Sequence, residues 1–324
     1  MINLNIDFVR IRKKCYIISA ALVAITLILT IWLGPVLDIT FKGGTLINYS
    51  YEGEVDLDAI QATAEEALGV SVRVQQTADA LGDKQSLQIS TAGTESISID
   101  VLAKLTDKLQ EQFNTSNMQF EENISVDAPM GREFLLKCLY AVAVAAVMII
   151  IYVAIRFSKI GGWSAGLIGV GALIHDLMVV YLTFIIFRIP MDGNFIAVLL
   201  TILGYSINDT IVIYDRIREN EKAYGRKLTF PETVNKSINQ SFFRTINTAL
   251  STLIALITMC VFALIFNVDT IVNFAFPMVI GMFSGFYSTV FLTGPVWTDL
   301  VAARKRRLAR KPKKGATKGK RKKK

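Results

Sequence analysis

Six stretches of this sequence stay apolar for long enough to cross a bilayer, and that restricts the fold more than any other feature. They lie at about residues 15–36, 136–155, 161–187, 194–214, 245–266 and 271–298. Hydrocarbon supplies no water to pair exposed backbone N–H and C=O groups, so such runs must cross it as helices. A mean hydropathy of +0.44 and 52% hydrophobic residues over 324 positions exclude an ordinary soluble domain. The expected fold class is therefore an α-helical multi-pass membrane protein.

Arg10, Arg12, Lys13 and Lys14 precede the first run. A cleaved signal peptide also opens on basic residues, but this run is about twenty residues long and no small-x-small cleavage site follows it. A retained signal-anchor helix is expected. The net charge of +8 collects at the two ends and in the 216–244 loop, whereas the 188–193 and 267–270 connections are poor in Lys and Arg. Short basic loops stay cytoplasmic, so both termini should lie inside and 37–135 outside. The expected organisation is a cytoplasmic N-terminus (1–14), a first span (15–36), an outer domain (37–135), a five-helix membrane region (136–299) and a basic tail (300–324). The tail has no apolar periodicity; it is expected to be disordered and to hold anionic lipid headgroups, each Lys or Arg adding about 1 kcal/mol. Ribosomal RNA or an acidic partner is the other option for it, although no nucleic acid is required.

The outer segment reads as a small α+β domain. Alternation over 39–51, broken at Gly43-Gly44, predicts a strand with a bulge or tight bend. Asp56 and Gly69 bracket a helical pattern over 56–68, and Val101, Leu102, Leu105 and Leu109 share a face of a second helix over 98–113. Strands are expected at 70–74, 86–90 and 118–126, with a polar turn at 80–84. The order β-α-β-β-α-β is that of a ferredoxin-like sandwich. No metal-ligand cluster, phosphate loop or nucleophile elbow is visible, and Cys15, Cys138 and Cys260 form no disulfide framework. Neither a cofactor nor an enzymatic activity is expected.

The informative residues are polar ones inside the spans. His175 and Asp176 sit midway along the third. Asp209 lies in the fourth, with Asn208 beside it and Tyr205 one turn back. Arg244 opens the fifth, followed by Thr245, Asn247, Thr248, Ser251 and Thr252. An acid at such depth costs about 2.5–3.5 kcal/mol and is kept only if paired, hydrated or protonated. Each has a bland reading: a core histidine, helix–helix hydrogen bonds, a snorkelling arginine, packing contacts worth about 0.6 kcal/mol. Asp209 and Arg244 nevertheless match in depth on adjacent helices, and motion that joins or parts them would load and release a proton. Gly162, Gly166 and Gly169, and the Gly281-x-x-x-Gly285 pair, allow close helix packing around them.

These residues carry a resemblance. Asp38-Ile39-Thr40-Phe41-Lys42-Gly43-Gly44-Thr45, Ile174-His175-Asp176, the run from Gly204 through Asn208-Asp209-Thr210 to Asn220, and 237–246 around Arg244 resemble the SecF-type subunits of bacterial SecDF translocases, within the RND superfamily. Lys42 departs from the small or hydroxyl residue many relatives carry, and the basic tail matches no motif of that family. The resemblance implies a bacterial inner-membrane subunit with a periplasmic domain. It implies a pseudo-twofold pairing with a SecD-like subunit, beside SecYEG with SecA and a YajC-like small subunit. It also implies use of the proton motive force to complete preprotein export on the periplasmic side. It places the proton pathway on Asp209 and Arg244, with Tyr205, Asn208 and Thr210 in the same motif; Asp176 and His175 are further candidates by depth. The rival expectations are an efflux-type half for a small amphipathic substrate and a scaffold whose polar cluster only fixes helix register.

Overall fold

The computed structural model describes residues 6–51, 55–78, 85–91, 97–113, 118–158, 162–225, 227–266 and 268–310. Six helices in it are long and apolar enough to cross a membrane. They are α1 (Phe8–Leu33), α5 (Ala128–Arg156), α6 (Gly162–Ile186), α7 (Gly193–Tyr224), α8 (Phe230–Ile265) and a composite last span. In that span α9 (Asp269–Tyr287), a π-helical segment (Ser288–Thr293) and α10 (Gly294–Arg310) follow one another directly. Helices α6, α7 and the last span are mostly buried, while α1, α5 and α8 lie outside them. Ile31 and Trp32 of α1, Val144 and Ile155 of α5, and Ile254 and Ile265 of α8 are exposed, an apolar belt suited to lipid.

Each expected span falls on one of these helices, but three helices run well past the apolar residues. Helix α1 starts at Phe8, α7 continues to Tyr224, and α8 starts at Phe230, so Arg244 lies inside α8 and does not open it. The backbone ladder continues into water because polar side chains satisfy its ends. Asp7 accepts from Arg10 N, and Thr229 with Glu232 closes a capping box on α8. The polar ends of α7 and α8 also bind each other: Asn220 Nδ2 donates to Ser237 Oγ and Gln240 Oε1, both at 2.8 Å. The N-terminal segment docks on the same surface. Ile6 N donates to Asn239 Oδ1 (3.0 Å) and Phe8 N to Asn235 Oδ1 (2.9 Å), and the Phe8 ring is buried near Phe242 and Phe291.

The α+β domain has the expected element order: β1 (Gly44–Tyr51), α3 (Leu57–Leu68), β2 (Val72–Ala78), β3 (Gln85–Thr91), α4 (Ile99–Gln112) and β4 (Gln119–Val126). The sheet order is β2-β3-β1-β4, with every pair antiparallel. Alternate residues Ile47, Tyr49 and Tyr51 of β1 and Leu87 and Ile89 of β3 point to one face, where they meet Ile60 and Ala64 of α3 and Leu105 and Leu109 of α4. Burial pushes the Tyr49 hydroxyl above its ordinary pKa, opposed by its hydrogen bond to Thr106. The Asp56 cap and the left-handed Gly69 stop of α3 are present as expected. The expected turn at 80–84 and the tail beyond 310 lie outside the described residues, whereas residues 300–310, expected to be disordered, are corrected to the end of helix α10, which runs on from the last span.

The entry to β1 is a further correction. Residues 39–42 form a helical turn, α2 (Ile39–Lys42), and the strand begins only at Gly44. Asp38 makes the turn, its Oδ2 accepting from Thr40 N (3.1 Å) and Thr40 Oγ1 (2.7 Å). Gly43 ends it at φ 81°, and Gly44 enters β1 at φ 150°, where an added Cβ would collide with the Thr91 carbonyl. The glycine pair is a helix-to-strand junction, not a bulge. Arg188, in the connection between α6 and α7, donates to the free carbonyls of Leu33 and Gly34 and so closes the end of α1.

Candidate functional site

One turn of α7, from Tyr205 to Thr210, presents polar groups in two directions. With 3.6 residues per turn, Tyr205 and Asp209 share one face, and Ser206 and Thr210 share the next. Asp209 is 2% exposed, and its Oδ2 has no hydrogen-bond partner among the described residues. The charge that acts on its carboxyl is that of Arg244, which projects from an exposed position on α8. The two are within electrostatic reach but form no ion pair in this structure. Tyr205 lies one turn back with its hydroxyl buried, and Asn208 is exposed. On α8, Thr248, Ser251 and Thr252 bond backbone carbonyls of their own helix.

The other direction leads to Asp176, which is fully buried on α6. Three serine hydroxyls donate to it: Ser206 of α7 to Oδ2 (2.8 Å), Ser284 of α9 to Oδ1 (2.7 Å) and Ser288 of the π segment to Oδ2 (2.7 Å). Both of its oxygens are hydrogen-bonded. His175 Nδ1 stands 3.3 Å from Oδ1. Its ring lies beside Tyr287, and its Nε2 has no partner among the described residues. Thr289 extends the network to α7: its hydroxyl is 3.2 Å from that of Thr210 and also donates to the Ser206 carbonyl. The wide π turn lets neighbouring Ser288 and Thr289 both reach inward.

Small residues make room for these bonds. A Cβ on Gly285 would press on Ser206 Cβ at 3.3 Å, and one on Gly281 would meet Ile202 and Val180 at 2.7 Å. Gly169 packs against Thr210 and Ile207, and Gly166 against the backbone of α5. Hence α6, α7 and the last span approach closely enough for serine-length side chains to bridge them.

The structure therefore gathers His175, Asp176, Tyr205, Asp209 and Thr210 around a single turn and sets Arg244 at its edge. The motif reading does not single out Ser206, Ser284, Ser288 and Thr289. The available signal was Gly281, Ser284, Gly285 and Ser288, whose three- and four-residue spacing puts small and hydroxyl side chains on one helical face. Among the described residues no group of three or more His, Cys, Asp or Glu is placed to hold a metal ion.

Comparison with known proteins bears on this site. The family described as "Protein export membrane protein SecD/SecF, C-terminal" matches residues 104–303. The protein translocase subunit SecF of Sebaldella termitidis is 32% identical over 295 residues, covering 90% of this chain and 91% of that one. The translocase subunit SecDF of Bacillus subtilis is 31% identical over 296 residues, 90% of this chain but 37% of the longer relative. The crystal structure of SecDF from Thermus thermophilus, a translocon-associated membrane protein, superposes with a TM-score of 0.76 at 27% identity, over 94% of this chain and 39% of that one.

Proposed function

The chain belongs to the SecD/SecF family of protein export membrane proteins, and we propose that it is the SecF-type half of a proton-driven translocase. The observation that carries this reading is Asp209, a buried acid with one unpartnered oxygen, beside a cation it does not contact. A carboxyl group so placed can take up a proton when Arg244 is remote and release it when the guanidinium closes in. Tyr205, Asn208 and Thr210 line the same turn, and Asp176 with His175 forms a second polar centre next to it. One charge crossing 100 mV releases about 2.3 kcal/mol, enough to bias a conformational equilibrium of a few kcal/mol.

The relatives in which this region is under half of a SecDF chain support a SecD-type partner for the remainder. In this reading the termini are cytoplasmic and the α+β domain is periplasmic, where it meets preproteins leaving SecYEG and SecA; a YajC-like small subunit completes the assembly. The α+β domain has a core filled by its own side chains. The test is preprotein export in membrane vesicles. An Asp209→Asn chain should assemble normally yet lose the proton-dependent late stage, and so should Arg244→Met. Parental export by Asp209→Asn vesicles would remove the assignment.

A further inference from the structure

The polar network around Asp176 is more than a set of packing contacts, because of where it attaches to α7. Ser206 is bound through both its hydroxyl and its carbonyl. The hydroxyl donates to Asp176, and the carbonyl accepts from Thr210 and from Thr289. Thr210 in turn touches Thr289 across the interface. Residues 206 and 210 bracket Asp209 on a helix whose adjoining face carries that acid. The hydroxyls of α9 and the π segment thus hold the height and rotation of the Asp209 turn, with the Asp176 carboxylate as their common anchor. Three short hydrogen bonds to one fully buried group leave that anchor little freedom. By contrast, no hydrogen bond from the described residues fixes Asp209 Oδ2 itself.

We propose that Asp176 is a positioning residue for Asp209: through Ser206 it sets the distance between the Asp209 carboxyl and Arg244. The inference rests on the proton-carrying role of Asp209 proposed above and adds a residue that acts through it without carrying the proton. The charged and titratable groups around the Asp209 turn are Arg244 on α8, Tyr205 on α7 itself, and Asp176 with His175 on α6, which meet α7 at Ser206. From the last span, Tyr287 faces His175. Loss of the Ser206 bond lets the turn move relative to Arg244 and so changes the protonation equilibrium of Asp209.

The experiment is an infrared pH titration of the full-length chain, labelled with 13C-aspartate and purified with its SecD-type partner. The protonated Asp209 carbonyl band is identified by its loss in Asp209→Asn. Asp176→Asn and Ser206→Ala should each move the midpoint of that band by about half a pH unit or more. The double variant should move it no further than the larger single change, since both cut one link. Ser206→Ala removes a single oxygen atom, which keeps the test available even if Asp176→Asn fails to assemble. An unchanged midpoint in assembled Ser206→Ala, or additive shifts in the double variant, overturns the positioning role. Absence of any titrating Asp209 band in the parent overturns the proton-carrying reading underneath it.

Discussion

Two acids flank one helical turn, and their surroundings could hardly differ more. Asp176 accepts three serine hydroxyls inside a close-packed junction, while Asp209, three residues beyond Ser206, keeps an oxygen without a partner. Substitutions at the two positions should separate accordingly. Asp176→Ala strands the buried hydroxyls of Ser206 and Ser284, each costing about 1–3 kcal/mol if left unsatisfied, while Ser288 keeps the Gly285 carbonyl, so it should lower the melting temperature of the detergent-solubilised protein strongly. Asp209→Asn retains shape and strands no bonded donor, so its melting temperature should stay near that of the parent. Equal losses in a thermal unfolding series would contradict this contrast. A single sequence shows the acids and Arg244 readily, because charges are rare in apolar runs. It does not show which serines meet Asp176, because hydroxyl residues are common in spans and the register between helices is not written in either one.

Among the elements, the apolar runs mark where hydrocarbon is crossed but not where helices end. The polar first turns of α8 carry no hydropathy signal; Asn235 and Asn239 on them serve to hold the N-terminal segment. Asn239→Leu removes two of these bonds and should release the segment, read as faster hydrogen exchange at Ile6 and Phe8; unchanged exchange would show that Phe8 packing alone holds it. The π segment was equally invisible, since its residues would also suit an α-helix. At the junction before β1, alternation predicts a strand across 39–51, whereas Asp38, accepting from Thr40, caps a helical turn first. Gly44→Ala should break the β1–β3 pairing, because the added methyl falls on the Thr91 carbonyl. The expected outcome is rapid proteolysis of the outer domain with the membrane helices still inserted; a protease-resistant domain would contradict the close approach. The order of elements in that domain was legible throughout, because each helix and strand keeps its own period and Asp56 and Gly69 punctuate one helix clearly.

Across the whole molecule, a buried tier of α6, α7 and the last span is wrapped on part of its surface by α1, α5 and α8, with the α+β domain inserted between the first two spans. Arg244 lies exposed on α8 at the border of the polar centre, and in the proposed mechanism its guanidinium approaches or leaves Asp209 as the helices shift. The basic loops and both termini are expected on one side of the membrane. Cysteines placed at Lys227 and at Asp58 should therefore react with a membrane-impermeant thiol reagent from opposite faces of intact cells and inverted vesicles; labelling of both from one face would reverse the topology. In the proposed mechanism a proton on Asp209 links the membrane potential to export. The most direct measurement of that link is proton entry into proteoliposomes holding the purified two-part complex, under an imposed potential and with a preprotein engaged. Uptake by the parent should depend on the potential, and Asp209→Asn at equal incorporation should show none above the lipid background; parental uptake by that variant would break the link between Asp209 and the membrane potential.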